Sequence, residues 1–448
     1  MCRAKRGNLL HFNSSMTNIH DHGAIPGSPE PQTLAVQSAM DAAAAAGGGT
    51  VVVPAGTYEM GTLTLRSHTT LHLENGAVLK GSPRISDYPE VAGGFTDAVG
   101  QKRNRCLIYA NATTGTAITG QGAIDGNGGA FGDSEDGRPF MVRFINCRDV
   151  QVTGVTLKDS PGWVSHYLGC ENVLIHGINI RSRTNGNNDG IDIDCCRRVR
   201  ISDCDIDTGD DAICIKATRA TPCEDIIVTG CRICSTWGAL KLGTESAGDF
   251  RNILFSDIVI RDTEGGGIKL ISMDGCNMEN VVADNILMDN VSGPIFIRLG
   301  ARLRRYFDDE PVRPVGSIRG IVLRNIRIKV WEEGYPLYGK LPRKSGIIFT
   351  GILGHPIDDI TLENLRVEFP GGGEMSGAPV PEQEKEYPEF PSFHPLPSWA
   401  FFVRHVRSLR MRACEITSRE PDPRPPFYLE DIAATKMQEV TFNGAEYV

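Results

Sequence analysis

RDVQVTG at residues 148–154 is followed by ENVLIHG at residues 171–177, and the same pattern returns four more times. Each copy has a polar pair, an apolar anchor residue and alternating apolar positions that end at a turn. Weaker copies centre on Ile321, Ile360 and Leu409. The anchors of the six clear copies lie 23–28 residues apart, at Val150, Val173, Val199, Ile226, Ile253 and Val281.

This spacing is too short for a strand, a helix and two loops, and it fits a coil of three short strands with alternating inward and outward side chains. Stacked coils form parallel sheets in which each strand bonds to the coils above and below. We therefore predict an all-β fold, a single-stranded right-handed parallel β-helix, in one domain over residues 1–448. A propeller is the alternative repeat fold, but parallel rungs of this length favour the β-helix.

Three segments depart from the repeat. Gln32 to Ala46 is rich in alanine and ends at a run of three glycines, which predicts a short N-terminal helix that caps the open end of the solenoid. Residues 1–20 read as an N-terminal extension. Residues 370–398 form a loop rich in Pro, Gly and Glu, too long for a turn, that we expect to line a groove or contact a partner.

Composition excludes several classes of protein. A net charge of −9 argues against nucleic acid as a partner. No run reaches transmembrane length, so no membrane partner is expected. The N-terminus lacks the apolar core of a signal peptide, so we expect a cytoplasmic protein, although a trimmed leader would look the same. The 13 cysteines fall mostly in apolar alternating segments and read as buried free thiols.

Two acidic turns lie within the most regular rungs. Asp189 and Asp210 are 21 residues apart, about one rung, and Asp211 follows directly. Carboxyl groups crowded on neighbouring coils repel, and this raises the pKa of at least one of them. Hydrolysis of an acetal needs one protonated and one ionised carboxyl group. The alternative, that these aspartates bind calcium or cap turns, remains open on spacing alone.

The same residues carry a resemblance to a known family. The entry segment at residues 47–58, the Asn-Asn-Asp that ends at Asp189 and the Gly-Asp-Asp that contains Asp210 and Asp211 resemble glycoside hydrolase family 28, the polygalacturonases, from about residue 21 to 302. The resemblance implies a pectin-lyase-like solenoid and an inverting mechanism. It also implies that Asp210 is the general acid and that Asp189 and Asp211 activate the water.

Two motifs of that family are altered here. Gly238 stands where the family has a histidine, and Lys269-Leu270-Ile271 aligns with its Arg-Ile-Lys, so only one cation of that motif is kept. Lys241 and Lys269 are 28 residues apart, one rung, and we predict that they form a substitute cationic pair for the substrate. Two solvated surface lysines are the alternative.

Other residues near these turns suit a sugar ligand. We predict that a sugar ring stacks on Trp163 and that His166 lies beside it. Glu245 is expected to accept hydrogen bonds from sugar hydroxyls. Arg298 and Arg302 belong to a basic cluster that would suit an anionic sugar. Core packing is the alternative for the two rings, and a solvated surface is the alternative for the arginines.

These features together predict a glycoside hydrolase that cleaves α-glycosidic bonds of pectin-related oligosaccharides. We expect it to be inverting and exo-acting, to remove terminal galacturonic acid or rhamnose-type residues, and to need neither metal nor cofactor, because carboxyl groups alone can supply acid and base. The alternatives are a polyuronate lyase or epimerase on the same fold and a non-catalytic carbohydrate-binding β-helix. An oligosaccharide is the expected partner, and a homo-oligomer is left open.

Overall fold

The structure, a computed structural model, describes residues 15–132, 137–331 and 346–447. Among these residues, 32 strands join in one continuous sheet that winds into a solenoid, and nearly all pairings are parallel. Each strand pairs with its counterpart one coil later. The chain is a right-handed parallel β-helix, as the repeat predicts.

The anchor residues of the repeat are direct neighbours in the sheet. Val150 pairs with Val173, and the ladder continues through all the predicted anchors to Leu409. These side chains point inwards and are buried. The apolar core is therefore a column of stacked identical positions, which explains why the period of the sequence is also the period of the fold.

The solenoid has three sides, which we call sides 1, 2 and 3 in chain order. Side 1 is formed by Met16–Asn18, Gly49–Val53, Thr69–Leu73, Thr114–Gly120, Arg148–Thr153, Glu171–His176, Arg197–Ser202 and Cys223–Thr229. Side 2 is formed by Gly56–Met60, Ala77–Gly81, Ala123–Asp125, Thr156–Lys158, Asn179–Ser182, Asp205–Thr208 and Arg232–Ser235. Side 3 is formed by Leu63–Thr64, Cys106–Asn111, Phe140–Ile145, Ser165–Leu168, Ile191–Asp194, Ile213–Ala217, Gly238–Ser246, Gly266–Ser272, Ile295–Leu299 and Ile347–Thr350.

In the C-terminal half, sides 1 and 2 merge into long bent strands. Phe250–Thr263 pairs with the last strand of side 1 and the last strand of side 2. The strands that continue this merged surface are Asn277–Val291, Ser317–Val330 and Ile357–Phe369. Phe401–Ser418 and Phe427–Phe442 then cover both the merged surface and side 3, and Ala445–Glu446 pairs antiparallel with the last of them.

The N-terminal helix spans Thr33–Ala45, one residue shorter at each end than predicted. Its Gln37 side chain accepts from the backbone N–H of Thr64 at 2.8 Å and donates to the Thr64 carbonyl at 3.0 Å. These bonds replace those that a further strand would make, so the helix protects the open edge of the first coil, as expected. Short 3₁₀ helices lie at Ile19–His22, Ile85–Asp87, Gly128–Ala130 and Phe390–Phe393.

The predicted N-terminal extension, residues 1–20, is partly wrong. Met16–Asn18 is the first strand of side 1 and pairs with Gly49–Val53, so this part belongs to the solenoid. Residues 1–14 lie outside the described part of the chain. The twelve cysteines that are described are free thiols, and all but Cys234 are buried, as expected. None of the helices in the described ranges is long and apolar enough to cross a membrane.

Candidate active site

The candidate site lies on the outer surface of side 3. Alternation along the strands points every second residue away from the core, and neighbouring strands bring these outward residues into one column. Two segments cover this column, namely the loop 370–398 and a hairpin of Phe95–Thr96 and Lys102–Arg103. The column contains His166, Asp192, Cys214, Lys241, Lys269 and Phe296, all of them buried.

The three predicted catalytic aspartates meet just before two adjacent strands of this side. Asp189, Asp210 and Asp211 each offer a carboxylate oxygen within 4.8 Å of the others. The turns are held by backbone bonds, since the Gly190 N–H donates to the Asp211 carbonyl at 2.8 Å and the Thr208 hydroxyl donates to the Asp210 carbonyl at 2.7 Å. Asp189 and Asp211 are buried, whereas Asp210 is half-buried.

Asp211 is bound by a buried cation and by the backbone. Lys241 Nζ lies 2.5 Å from Asp211 Oδ2, and the Gly238 N–H donates to Oδ1 at 3.1 Å. A Cβ atom on Gly238 would lie 2.6 Å from the same oxygen. The glycine at the family's histidine position is therefore required by the position of Asp211, because any side chain there would push the carboxylate away.

Lys216 is a central cation of the site that the sequence analysis missed. Its Nζ lies 3.3 Å from Asp189 Oδ2 and 3.4 Å from both Asp192 Oδ1 and Glu245 Oε2. All four side chains are buried. The alternation Ile213-Cys214-Ile215-Lys216 is a signal for it in the sequence, since isoleucines at the inward positions of a strand place the lysine on the outer face.

The aspartates differ in their protonation. Burial, together with repulsion from Asp189 and Asp211, raises the pKa of Asp210 well above its ordinary value. Burial acts in the same direction on Asp211, but the charges of Lys241, Lys269 and Lys216 outweigh it and hold its pKa below the ordinary value. Burial raises the pKa of Asp189 against the opposing charge of Lys216. The cluster thus pairs a protonated carboxyl group with an ionised one, which is the requirement for acid and base catalysis.

Lys269 is paired by a residue from far along the chain. Its Nζ lies 2.5 Å from Glu389 Oε2, and the Trp237 indole N–H donates to Glu389 Oε1 at 3.1 Å. Lys241 and Lys269 are direct neighbours in the sheet, as their spacing predicted. Both lysines are buried and each forms an ion pair with a carboxylate of the protein, so they are not solvated surface lysines. Their role in binding the substrate stays a prediction.

The predicted stacking platform is not supported. Trp163 is only 3% exposed. Lys216 Nζ lies 4.2 Å from the centroid of its ring, and the Arg103 guanidinium lies 4.9 Å from the same centroid, so both cations cover the indole. His166 is buried beneath Phe95 and hydrogen-bonds Asp194 at 3.3 Å. Burial lowers the pKa of His166 to about 4, so the ring is neutral.

Glu245 and Arg302 lie beside the site, with protein partners of their own. Glu245 accepts from the Ala98 N–H at 3.3 Å, and the charges of Lys216, Lys241 and Arg302 outweigh burial to lower its pKa to about 2. Arg302 makes an ion pair with Asp274 at 2.6 Å. Glu245 therefore stays ionised and able to accept hydrogen bonds.

Arg298 has a different role from the predicted one. It is buried and donates to the carbonyls of Gly351, Glu382 and Gln383 at 2.6–2.8 Å. Its two terminal nitrogens donate to these backbone carbonyls, so it anchors the loop 370–398.

A cation could be held by the three aspartates on grounds of distance alone. Two of them, however, are already neutralised by Lys216 and Lys241, which lowers the attraction for a metal. The expectation that the protein needs no metal or cofactor stays a prediction.

Comparisons with known proteins identify the family and the fold of the chain. The profile of the family described as Glycosyl hydrolases family 28 matches residues 46–374. A probable polygalacturonase from Vitis vinifera is 29% identical over 367 residues, which cover 75% of this chain and 72% of the relative. Two solved structures share the fold: the exopolygalacturonase of Thermotoga maritima and the family 28 exopolygalacturonase of Yersinia enterocolitica. The first has a TM-score of 0.69 at 21% identity, covering 90% of this chain and 91% of that one. The second has a TM-score of 0.70 at 20% identity, covering 95% and 78%.

Proposed function

Because the chain belongs to glycosyl hydrolase family 28 and is a glycoside hydrolase, we propose that it cleaves α-glycosidic bonds of pectin-related oligosaccharides, releasing terminal galacturonic acid or rhamnose-type residues. One observation carries the proposal: the close group of Asp189, Asp210 and Asp211, in which neighbouring carboxyl groups have pKa values shifted in opposite directions. Acetal hydrolysis uses such a pair.

The proposed reaction uses only these side chains. Asp210 gives its proton to the glycosidic oxygen as the bond from that oxygen to the anomeric carbon breaks. A water held by Asp189 and Asp211 attacks the anomeric carbon and releases its proton to one of the two carboxylates. The products are two sugars with free hydroxyl groups. The carboxylate that took the proton of the water releases it to solvent, and solvent returns a proton to Asp210.

We propose inversion, although the oxygens of the carboxyl groups approach more closely than the roughly 6.5–9.5 Å between carboxyl groups that is usual for inverting enzymes. Asp211 bonds to Lys241 and to the Gly238 N–H, which makes it a poor nucleophile. It remains suited to orient a water. Proton NMR of the first sugar released would show which anomer forms, and a retained anomer would contradict this part of the proposal.

The exo mode is proposed from the cover over the site. The hairpin 95–103 reaches Glu245 through Ala98, and the loop 370–398 reaches Lys269 through Glu389, so two segments cover the column of buried site residues. A covered site suits a chain end better than the middle of a polymer. Product analysis on a defined oligosaccharide would show single residues released if this is correct.

The central test is Asp210→Asn. The amide keeps the shape but cannot donate the proton, so we expect kcat to fall by about 10²–10⁴ with the fold intact. Asp308→Asn, at an exposed position, is the matched control and should retain activity. Near-normal turnover by Asp210→Asn would refute the mechanism.

Family membership favours hydrolysis over the lyase or epimerase alternative, and absorbance from an unsaturated product would reverse that judgement.

A further inference from the structure

The loop 370–398 is fixed on the outer face of side 3 by its own apolar cluster. Phe390, Phe393 and Leu396 pack against outward side chains of the sheet, among them Phe296 and Phe402. Arg404 donates to the carbonyls of residues 380 and 381 at 2.9 Å, and Arg298 donates to those of residues 382 and 383. Residues 387–389 lie between the carbonyls that these arginines bind and the apolar cluster, so the position of Glu389 is set by attachments on both sides of it.

Glu389 forms an ion pair with Lys269, the cation that we predicted to bind the substrate. One of its oxygens is bound by Lys269 Nζ and the other by the Trp237 indole N–H. Lys269 is completely buried, and so is most of Glu389. If a substrate carboxylate displaced Glu389 from Lys269, the carboxylate of Glu389 would be buried without its cation, which is strongly unfavourable.

The remaining charges also disfavour an anionic ligand. Six carboxyl groups surround the site, at Asp189, Asp192, Asp210, Asp211, Glu245 and Glu389, and they face three ammonium groups, at Lys216, Lys241 and Lys269. Three negative charges are therefore in excess when all six are ionised. If Asp192 and Asp210 carry protons, one negative charge remains in excess. Arg302 is paired with Asp274, and the Arg304 guanidinium donates to the Ala98 carbonyl.

We propose that the sugar residue bound beside Lys269 at the point of cleavage is a neutral hexose or 6-deoxyhexose, not a uronate, and that Glu389 is the residue that determines this specificity. The inference rests on the proposed function, because it concerns the substrate of the same aspartates. Tyr387, two residues before Glu389, remains 38% exposed and offers a ring and a hydroxyl group, which suit a neutral sugar.

Three sets of oligosaccharides test the proposal on the wild-type protein. Oligogalacturonides and their carboxyl-reduced counterparts differ only at C6, where reduction replaces the carboxylate by a neutral hydroxymethyl group and so turns each galacturonate residue into galactose. Rhamnogalacturonan oligosaccharides with a terminal α-rhamnose form the third set. We expect kcat/KM for a neutral terminal residue to exceed that for oligogalacturonides by about tenfold or more, since a like charge opposes binding of the uronate.

Glu389→Gln tests the residue itself. The variant removes the carboxylate and leaves Lys269 free to bind a substrate carboxylate, so the ratio of kcat/KM for oligogalacturonides to that for neutral substrates should rise by about tenfold. Glu386→Gln, at an exposed position on the same loop, is the matched control and should leave the ratio unchanged. If Glu389→Gln does not fold, the double variant Lys269→Met with Glu389→Met replaces the pair by apolar side chains. It should keep the preference for neutral sugars.

The outcomes separate the two proposals. If the wild type prefers oligogalacturonides and Asp210→Asn abolishes that activity, the proposed function stands and the neutral-sugar inference is wrong. An unchanged ratio in Glu389→Gln would overturn the role of Glu389. If the wild type cleaves none of the three sets, the proposed function fails, and the inference that rests on it fails as well.

Discussion

At the scale of single residues, Asp210 and Asp211 are adjacent in the chain but have opposite protonation properties. Asp211 is buried against Lys241 and stays ionised, whereas Asp210 has no ion-pair partner among the described residues and holds its proton. A carboxyl group that keeps its proton near neutral pH is ready to act as an acid. It also destabilises the folded state once the pH is high enough to ionise it.

Asp210→Asn should therefore change stability with a defined dependence on pH. The unfolded carboxyl group ionises near pH 4, but the folded one binds its proton to higher pH, so the native state binds more protons between these values. Stability contributed by Asp210 is present below the unfolded pKa and is lost as pH rises through the folded pKa. We expect the Tm of the variant to exceed that of the wild type by about 1–3 °C at pH 8, and the difference to shrink towards pH 4. Calorimetry that shows the same difference at both pH values would contradict the assigned protonation.

The contacts of Lys216 lead to a second prediction at the scale of single residues. Lys216→Met would leave Asp189, Asp192 and Glu245 buried without their shared cation, and we expect a loss of about 3–5 kcal/mol in the free energy of unfolding. Urea denaturation measures this loss. Lys436→Met, on an exposed part of the last long strand, is the control and should be nearly neutral. Equal stability of the two variants would show that the buried network does not need the lysine.

At the scale of elements, the loop 370–398 contains no strand, yet it completes the site. It is held by the apolar cluster around Phe393 and by two buried arginines, Arg298 and Arg404, that bind its backbone carbonyls. A long loop between two coils thus becomes a wall of the groove. The conformation of the loop depends on its contacts with the sheet, since its own backbone forms no ladder of strand hydrogen bonds.

Arg298→Lys tests this anchoring. A lysine cannot reproduce the planar fork of donors that binds Gly351, Glu382 and Gln383, so the loop should open more often. We expect cleavage by a glutamate-specific protease within residues 370–398 to become faster by about tenfold. The exposed Arg327→Lys should leave the rate of cleavage unchanged. If Arg298→Lys impairs substrate binding without any change in proteolysis, the original expectation of a ligand-binding arginine would be restored.

At the scale of the whole molecule, the coils are joined by a stack of left-handed turn residues. Asn172, Asn252 and Asn280 have φ values of 55–57°, and the side chain of Asn280 donates to that of Asn252 at 3.2 Å. Asn252 in turn donates to Asp225 at 3.0 Å. Asparagine tolerates this conformation and continues the ladder of side chains from one coil to the next.

Asn252→Ala should destabilise the protein by about 1–3 kcal/mol, because alanine is strained at positive φ and cannot make the two side-chain bonds. Asn252→Gly removes the same bonds without the strain, so its loss should be smaller. The urea midpoints of the two variants measure the difference. Equal losses would mean that backbone conformation contributes nothing at this position.

The sequence by itself determined the parts of this protein that repeat. Val150 and its successors predicted the coil because each coil packs on its neighbour, so the period of apolar residues is the period of the sheet. The same spacing predicted that Asp189 would meet Asp210 and that Lys241 would meet Lys269. Contacts between successive coils can be read from the chain because they connect residues at a fixed separation.

Only the tertiary structure decided what lies against that regular surface. Glu389 is 120 residues from Lys269 in the chain, and no period connects them. The burial of Trp163 and the attachment of Arg298 to the loop likewise depend on segments that fold over side 3 from outside the repeat. Aperiodic segments find their positions through side-chain packing at long range, so the charge and the cover of the site follow from the folded molecule.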